Sequence, residues 1–178
     1  MLLAKPSYKT YTNEEHHFTL KLPENLVAIT QNESQYLSNF LFIDQNDLEK
    51  IETDSLFESS PLVVVLQNNI SGLHLSINSS SWVAGSIEED IRLRLLAPAG
   101  GSQGEVEVIL KDFTKVTTND SRTIYLYTQE LQIESKIQDV GVLWINDGVM
   151  YTLENLSRED LPSKDMLRMI AESFTEIE

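Results

Sequence analysis

The residues of this chain that could do chemistry are few and scattered. His16 and His17 are adjacent; on a strand, neighbours point to opposite faces, so the two cannot readily chelate one ion and read as solvated or edge positions. His74 sits at an outward position of an alternating segment with no acid close in sequence, which reads as a surface histidine rather than a general base. Asp44, Asn46, Asp47 and Glu49 supply calcium-type oxygens, but the segment lacks the central glycine and the terminal glutamate spacing of an EF-hand loop. Glu88, Glu89 and Asp90 form an acidic triplet that suits a helix start or a solvated charge cluster. The serines at Ser79–Ser81 lie in no Gly-x-Ser-x-Gly elbow. The run Gly100-Gly-Ser-Gln-Gly104 lacks the Gly-Lys-Ser/Thr ending of a phosphate loop. Trp82, between small residues, reads as a core anchor, with a ligand platform as the alternative. No catalytic, cofactor-binding or metal-ligating residue is assigned, the ligand-binding residues stay unassigned, and the pattern points away from an enzyme.

Composition narrows the class. The 178 residues include no cysteine, which removes disulfides, thiolate catalysis and cysteine-held metal centres together. With 28 acidic against 13 basic side chains and a net charge of −15, the surface repels nucleic acid and anionic lipid. Acidity of this kind keeps a surface soluble; a basic partner or bound cations are the alternative. No stretch approaches the ~20 apolar residues of a membrane-spanning helix. Met1-Leu-Leu-Ala-Lys5 is too short for a signal peptide, so an exported form requires a leader or anchor outside this sequence.

The elements that must position these residues fit a single domain, 1–178, able to bury roughly 70% of its unfolded surface. Alternation predicts strands at His17–Leu22 (Phe18, Leu20 and Leu22 inward), Leu73–Ile77 (Leu73, Leu75 and Ile77 inward, His74 and Ser76 outward) and Glu105–Leu110 (Val106, Val108 and Leu110 inward). Thr123–Thr128 alternates less cleanly, with Tyr125 and Tyr127 opposing Ile124 and Leu126. Leu62–Leu66 is apolar throughout and reads as a central strand covered on both faces. The stretch Ala97–Gly104 reads as a long surface loop. Gln45–Phe57 is a short helix or an ordered loop. Ser86–Leu96 opens with a serine cap and three acids like a helix but alternates Ile91, Leu93 and Leu95 with arginines like a strand, and both readings stay open.

The last forty or so residues carry the clearest pattern. Asp147-Gly148 supplies the positive φ angles of a type I′ turn, predicting a hairpin over Val142–Leu153 with Trp144 opposite Tyr151, Val142 opposite Leu153 and Ile145 opposite Met150. After Pro162, Ser163 caps a predicted helix reaching about Glu176, its stripe formed by Met166, Leu167, Ile170, Phe174 and Ile177. The fold class expected is α+β: a curved, mostly antiparallel sheet with this amphipathic helix packed on one face.

The order Leu143-Trp144, Asp147-Gly-Val149, Tyr151-Thr-Leu153, then Leu167 and Ile170-Ala-Glu-Ser-Phe174 resembles the C-terminal signature of a domain of unknown function in extracytoplasmic proteins of Gram-positive bacteria. That domain often follows anti-sigma-factor membrane segments, and a similar ending occurs in LolA-like lipoproteins. The segment Phe18-Thr-Leu-Lys-Leu-Pro-Glu-Asn25 resembles the opening strand of PsbP-like domains, which also end in a helix with Ser-Phe. Both resemblances imply a curved antiparallel sheet carrying helices, and neither brings a catalytic residue or a cofactor. In LolA-like proteins such a sheet accommodates acyl chains or senses partners. The resemblances thus imply a non-enzymatic extracytoplasmic binding or sensing domain of a bacterial surface protein or lipoprotein, whose ligand is a protein or a lipid-like molecule. Membrane contact would then run only through an anchor outside this sequence. The alternative is a cytoplasmic PsbP-like or secretion-chaperone-like adaptor that binds a basic or apolar segment of a partner protein. Oligomeric state is not assigned.

Overall fold

The computed structural model describes residues 7–30, 37–48, 70–79, 86–97, 107–132, 137–156 and 161–177. Ten strands and two helices run through them. They are β1 (Tyr8–Asn13), β2 (Phe18–Pro23), β3 (Leu26–Thr30), β4 (Leu37–Asp44), β5 (Gly72–Ser79), α1 (Ile87–Leu95), β6 (Glu107–Thr117), β7 (Thr123–Gln132), β8 (Ile137–Asn146), β9 (Val149–Asn155), α2 (Lys164–Glu172) and β10 (Thr175–Glu176). They build an α+β fold of two open, curved sheets, one of three strands in the order β1-β2-β10 and one of seven in the order β3-β4-β5-β9-β8-β7-β6. Every pairing is antiparallel.

The principal core fills the space between the sheets. Phe18, Leu20 and Leu22 of β2 meet Phe40 and Phe42 of β4, Leu73, Leu75 and Ile77 of β5, and Trp144, Tyr151 and Leu153 of the hairpin. Helix α2 lies on this same face, contributing Leu167, Ile170 and Ala171. The hairpin has the expected register: Trp144 pairs with Tyr151, their rings parallel to 4° and 5.4 Å apart. Asp147 and Gly148 take φ of 46° and 79°, the two positive values that a type I′ turn demands.

The predicted C-terminal helix is shorter than its hydrophobic spacing indicates. It ends at Glu172, and Ser173 reverses the chain: its Oγ donates to the Ile170 carbonyl (2.6 Å) and accepts from the Lys21 amide (2.7 Å). Such side-chain bonds compete with the helical ladder. The edge of β2 offers Thr175 and Glu176 a strand partner instead. Phe174 therefore reaches the core from an extended segment, stacked on Phe18 at 5.7 Å, and Ile177 is not part of a helical stripe.

Ser86–Leu96 resolves to a helix. Ser86 Oγ accepts from the Glu89 amide at 3.2 Å, and Ile91 and Leu95, one turn apart, are buried while Leu93 is exposed. Helix α1 covers the other face of the large sheet over Tyr125, Tyr127, Leu143 and Met150. That placement explains the blurred alternation of β7, since Ile124 and Leu126 face the main core while Tyr125 and Tyr127 lie under α1. The strand predicted at Glu105–Leu110 corresponds to β6 (Glu107–Thr117) and extends further, with a bulge at Lys111; Val108 and Leu110 are half-buried, and residues 105–106, with the inward Val106 of that prediction, lie outside the described residues. The His17–Leu22 prediction shifts by one residue to Phe18–Pro23. Gln45–Asp47 form a turn, while residues 49–57, the apolar run Leu62–Leu66 expected as a central strand, Ser80–Gly85 with Trp82, and 98–104 lie outside the described residues.

Candidate functional site

Concavities among the described residues include three lined by both apolar and polar residues. The first, about 510 Å³, opens beside the mouth between the sheets, where Pro23, Leu26, Leu73, Pro162 and Met166 present apolar surface beside Asn25, Asp44, Asn46 and Asp47. Its polar side is a rigid turn. Asp44 accepts from Asn25 Nδ2 (2.6 Å) and from the Asn46 amide (2.9 Å), and the buried Asp47 accepts from the Ser71 amide (2.9 Å). The Asp44 and Asp47 carboxylates, which looked like calcium ligands in the sequence, thus accept from the chain's own donors, Glu49 lies outside the described residues, and no group of three potential ligands clusters among the described residues.

The second, about 770 Å³, runs along the first turns of α1 beside Lys115, Arg122, Tyr125 and Ile145. Its charges are answered from within: Glu88 meets Arg92 at 3.4 Å and Lys115 at 3.9 Å, and the Arg92 guanidinium lies 4.0 Å from the centre of the Phe113 ring. The acidic triplet is a helix start, as its position implied; Asp90 is buried and pairs with Arg94 at 2.9 Å.

The third is built on a row of residues that crosses the whole large sheet on its α1 face. Phe113, Tyr127, Gly141, Glu154, His74, Leu41 and Ile29 are successive cross-strand partners from β6 to β3. The ends of this row are apolar and the middle is polar. Gly141 makes it possible, because a Cβ there would stand 2.3 Å from Tyr127 Cζ; the tyrosine ring lies flat over the glycine and its hydroxyl donates to Glu154 Oε1 on the strand beyond. Burial pushes the Glu154 carboxyl above its usual value, a shift opposed by the Tyr127 bond and reinforced by Asp139 nearby. Burial and the Glu154 charge push the Tyr127 phenol far up, so it stays a donor. Glu154 also lines a pocket of about 270 Å³ together with Leu95, Ala97, Val108 and Leu131, with Gln129, Asp139 and Arg94 as further polar lining.

His74 corrects the sequence reading. It is half-buried on the α1-side face, with the acid Glu154 as its cross-strand neighbour, and burial lowers its pKa to about 4. His16 and His17 are not on a strand. They end a turn in which Asn13 Oδ1 accepts from the His16 amide at 2.8 Å, and His17 takes a φ of 51°. The His16 ring packs edge-on against Phe40, while His17 is exposed. Sequence reasoning missed Tyr127, Gly141 and Glu154 as a unit; the available signal was a glycine inside a strand-like run, which marks close approach of another group.

No protein-family model matches this sequence, and no curated protein matches it significantly. Solved structures share its fold across nearly the full length. Cyanobacterial PsbP (CyanoP) from Synechocystis sp. PCC 6803 superposes with a TM-score of 0.54 at 14% identity, covering 99% of this chain and 96% of its own. The Saccharomyces cerevisiae Ran-binding protein Mog1p gives 0.53 at 8% identity, covering 98% and 97%. The PsbP-like resemblance of the opening strand therefore holds at the level of fold.

Proposed function

We propose that this chain is a non-enzymatic adaptor-like domain, one unit over 1–178, that binds a partner protein at the mouth between its two sheets. The observation that carries the reading is the cleft over Leu26, Leu73, Met166, Pro23 and Pro162: an apolar floor beside a turn whose polar groups are already satisfied. Such a surface gains from apolar burial without a desolvation penalty on its rim. Fold likeness supports the same reading, since Mog1p is a Ran-binding protein. A protein segment suits this chain better than an acyl chain, because the volume between the sheets is filled by Phe18, Phe40, Phe42 and Trp144. With a net charge of −15, the preferred segment is basic as well as apolar.

Met166→Glu tests this. Position 166 lies three residues after the Ser163 cap, where glutamate completes a capping box, so the helix keeps its start while a charge enters the cleft floor. A partner captured by the full chain is expected to be lost with Met166→Glu; equal capture by the folded variant would overturn the reading. The setting we propose is extracytoplasmic on a bacterial surface, supported only by the C-terminal resemblance over residues 143–174, and a protein found wholly in the cytoplasmic fraction of its source cell would refute it.

A further inference from the structure

We infer that the concavity at the start of α1 is a binding site for a carboxylate borne on a short apolar group. Tyr125, which lines it, carries the inference. Only 5% of this residue is exposed, yet its hydroxyl has no hydrogen-bond partner among the described residues, and the oxygen is not sealed in. A buried phenol left without a partner is costly, so its hydroxyl is placed for a group that enters the pocket. Burial and the Glu88 charge raise its pKa, which keeps it a donor beside the first turn of α1. Other donors surround it. The amides of Ile87 and Glu88 open the helix, cannot bond within it, and have no partner among the described residues. They present the positive end of the helix dipole, with Lys115 and Arg92 on the same lining.

The sign of the charge follows from the lining. Its described residues hold three bases, Arg92, Lys115 and Arg122, against two acids, Glu88 and Glu89, whereas the chain as a whole has 13 bases against 28 acids. Arg122 is bonded to the end of α2 and adds charge only. Glu88 shows the kind of anion that fits: its carboxylate meets Arg92 Nη2 at 3.4 Å and Lys115 Nζ at 3.9 Å. Both contacts are long, and the three side chains are 39–53% exposed, so an entering carboxylate can replace Glu88 at little cost. A dianion such as phosphate is disfavoured by the two glutamates. The apolar group rests on Ile87, 47% exposed, and on Ile145. The frame is set in advance, since Tyr125 stacks on Phe113 at 5.4 Å and the Arg92 guanidinium lies 4.0 Å from the centre of that same ring. A free organic acid and the C-terminal residue of a protein both offer this chemistry. The site is separate from the cleft over Met166 and stands without the adaptor reading.

The test is an NMR titration of the full chain at low salt with 4-methylpentanoate and with acetyl-Gly-Leu carrying a free C-terminal carboxylate. Acetyl-Gly-Leu-amide and inorganic phosphate are the controls. Expected are saturable shifts at the amides of Ile87, Glu88 and Lys115; binding of the free acid alone identifies a small molecule as the source, and binding of the peptide acid a chain terminus. Loss of the charge in the amide should weaken binding about tenfold or more, and so should Tyr125→Phe, which removes one donor to a charged group. Tyr125→Phe breaks no bond within the protein, so its urea midpoint should be unchanged or higher. Glu88→Gln should tighten binding and Lys115→Gln weaken it. No saturable shifts, equal binding of the amide, undiminished binding to folded Tyr125→Phe, or phosphate binding as tightly as both acids would each overturn the site. Partner capture and its loss on Met166→Glu are read separately, so the adaptor reading survives or falls on its own.

Discussion

Arg122 closes the end of α2 from a different part of the chain: its Nη2 donates to the Phe174 carbonyl at 2.8 Å and its Nη1 to the Ala171 carbonyl at 3.1 Å, with the guanidinium 5.1 Å from the Phe174 ring centre. Helix α2 has no basic residue in its last turn, so this arginine from the β6–β7 connection supplies the positive charge that a helix C-terminus favours. Arg122→Ala should cost about 2–4 kcal/mol, since two carbonyls lose charged donors at once. Arg122→Lys should fall between, because one ammonium cannot reproduce the planar fork. Urea unfolding checks this, with a lower midpoint and an unchanged slope expected.

Gly141→Ala should destabilise by about 1–3 kcal/mol from overpacking alone, because the new Cβ would overlap the Tyr127 ring at 2.3 Å. The ring cannot retreat without breaking its bond to Glu154. Tyr127→Leu should lose that bond but accept the alanine more readily. In a double-mutant cycle the two substitutions are therefore expected to cost clearly less together than their sum; strict additivity would show that the contact carries no energy.

His74 sets an acid limb. Its folded pKa of about 4 lies below the 6.5 of the free side chain, so its neutral, buried form favours folding above pH 6.5. That contribution is lost as pH falls from 6.5 toward 4, with a slope approaching ~1.4 kcal/mol per pH unit. Because the ring is half-buried, the total should be about 2–3 kcal/mol. His74→Gln should flatten the stability profile across that window, as read from chemical denaturation at a series of pH values.

Glu154 acts in the opposite sense. Its folded pKa is raised above 4.5, so its contribution is complete below 4.5 and is lost as pH rises through the folded value. Glu154→Gln removes that decline and should gain stability relative to the wild type toward neutral pH. A variant whose profile parallels the wild type from pH 4 to pH 8 would show that the carboxyl titrates as it does in the unfolded chain.

Much of the architecture was legible along the chain. The Val142–Leu153 hairpin followed from the backbone demands of Asp147-Gly148 and from the pairing those demands impose, and the alternation at Phe18–Leu22 and Leu73–Ile77 marked the faces that meet in the core. Local signals failed where a competing partner came from far away. Phe174 and Ile177 fit a helical spacing, but Ser173 and the free edge of β2, some 150 residues earlier, drew the chain into a strand. His74 looked like a surface residue because alternation tells which face a side chain takes and not whether that face is covered.

By itself, then, the order of residues determined periods, turns, caps and charge: where strands alternate, where the chain reverses with positive φ, where a helix begins, and how strongly the surface repels anions. Only the tertiary structure decided that Tyr127, Gly141, Glu154 and His74 form one row, because residues far apart in the chain become neighbours through strand order and register. Burial then did the rest. The same carboxyl that would be an ordinary solvated acid on an open strand becomes, under α1 and beside a flat-lying tyrosine, a hydrogen-bonded group whose ionisation burial opposes.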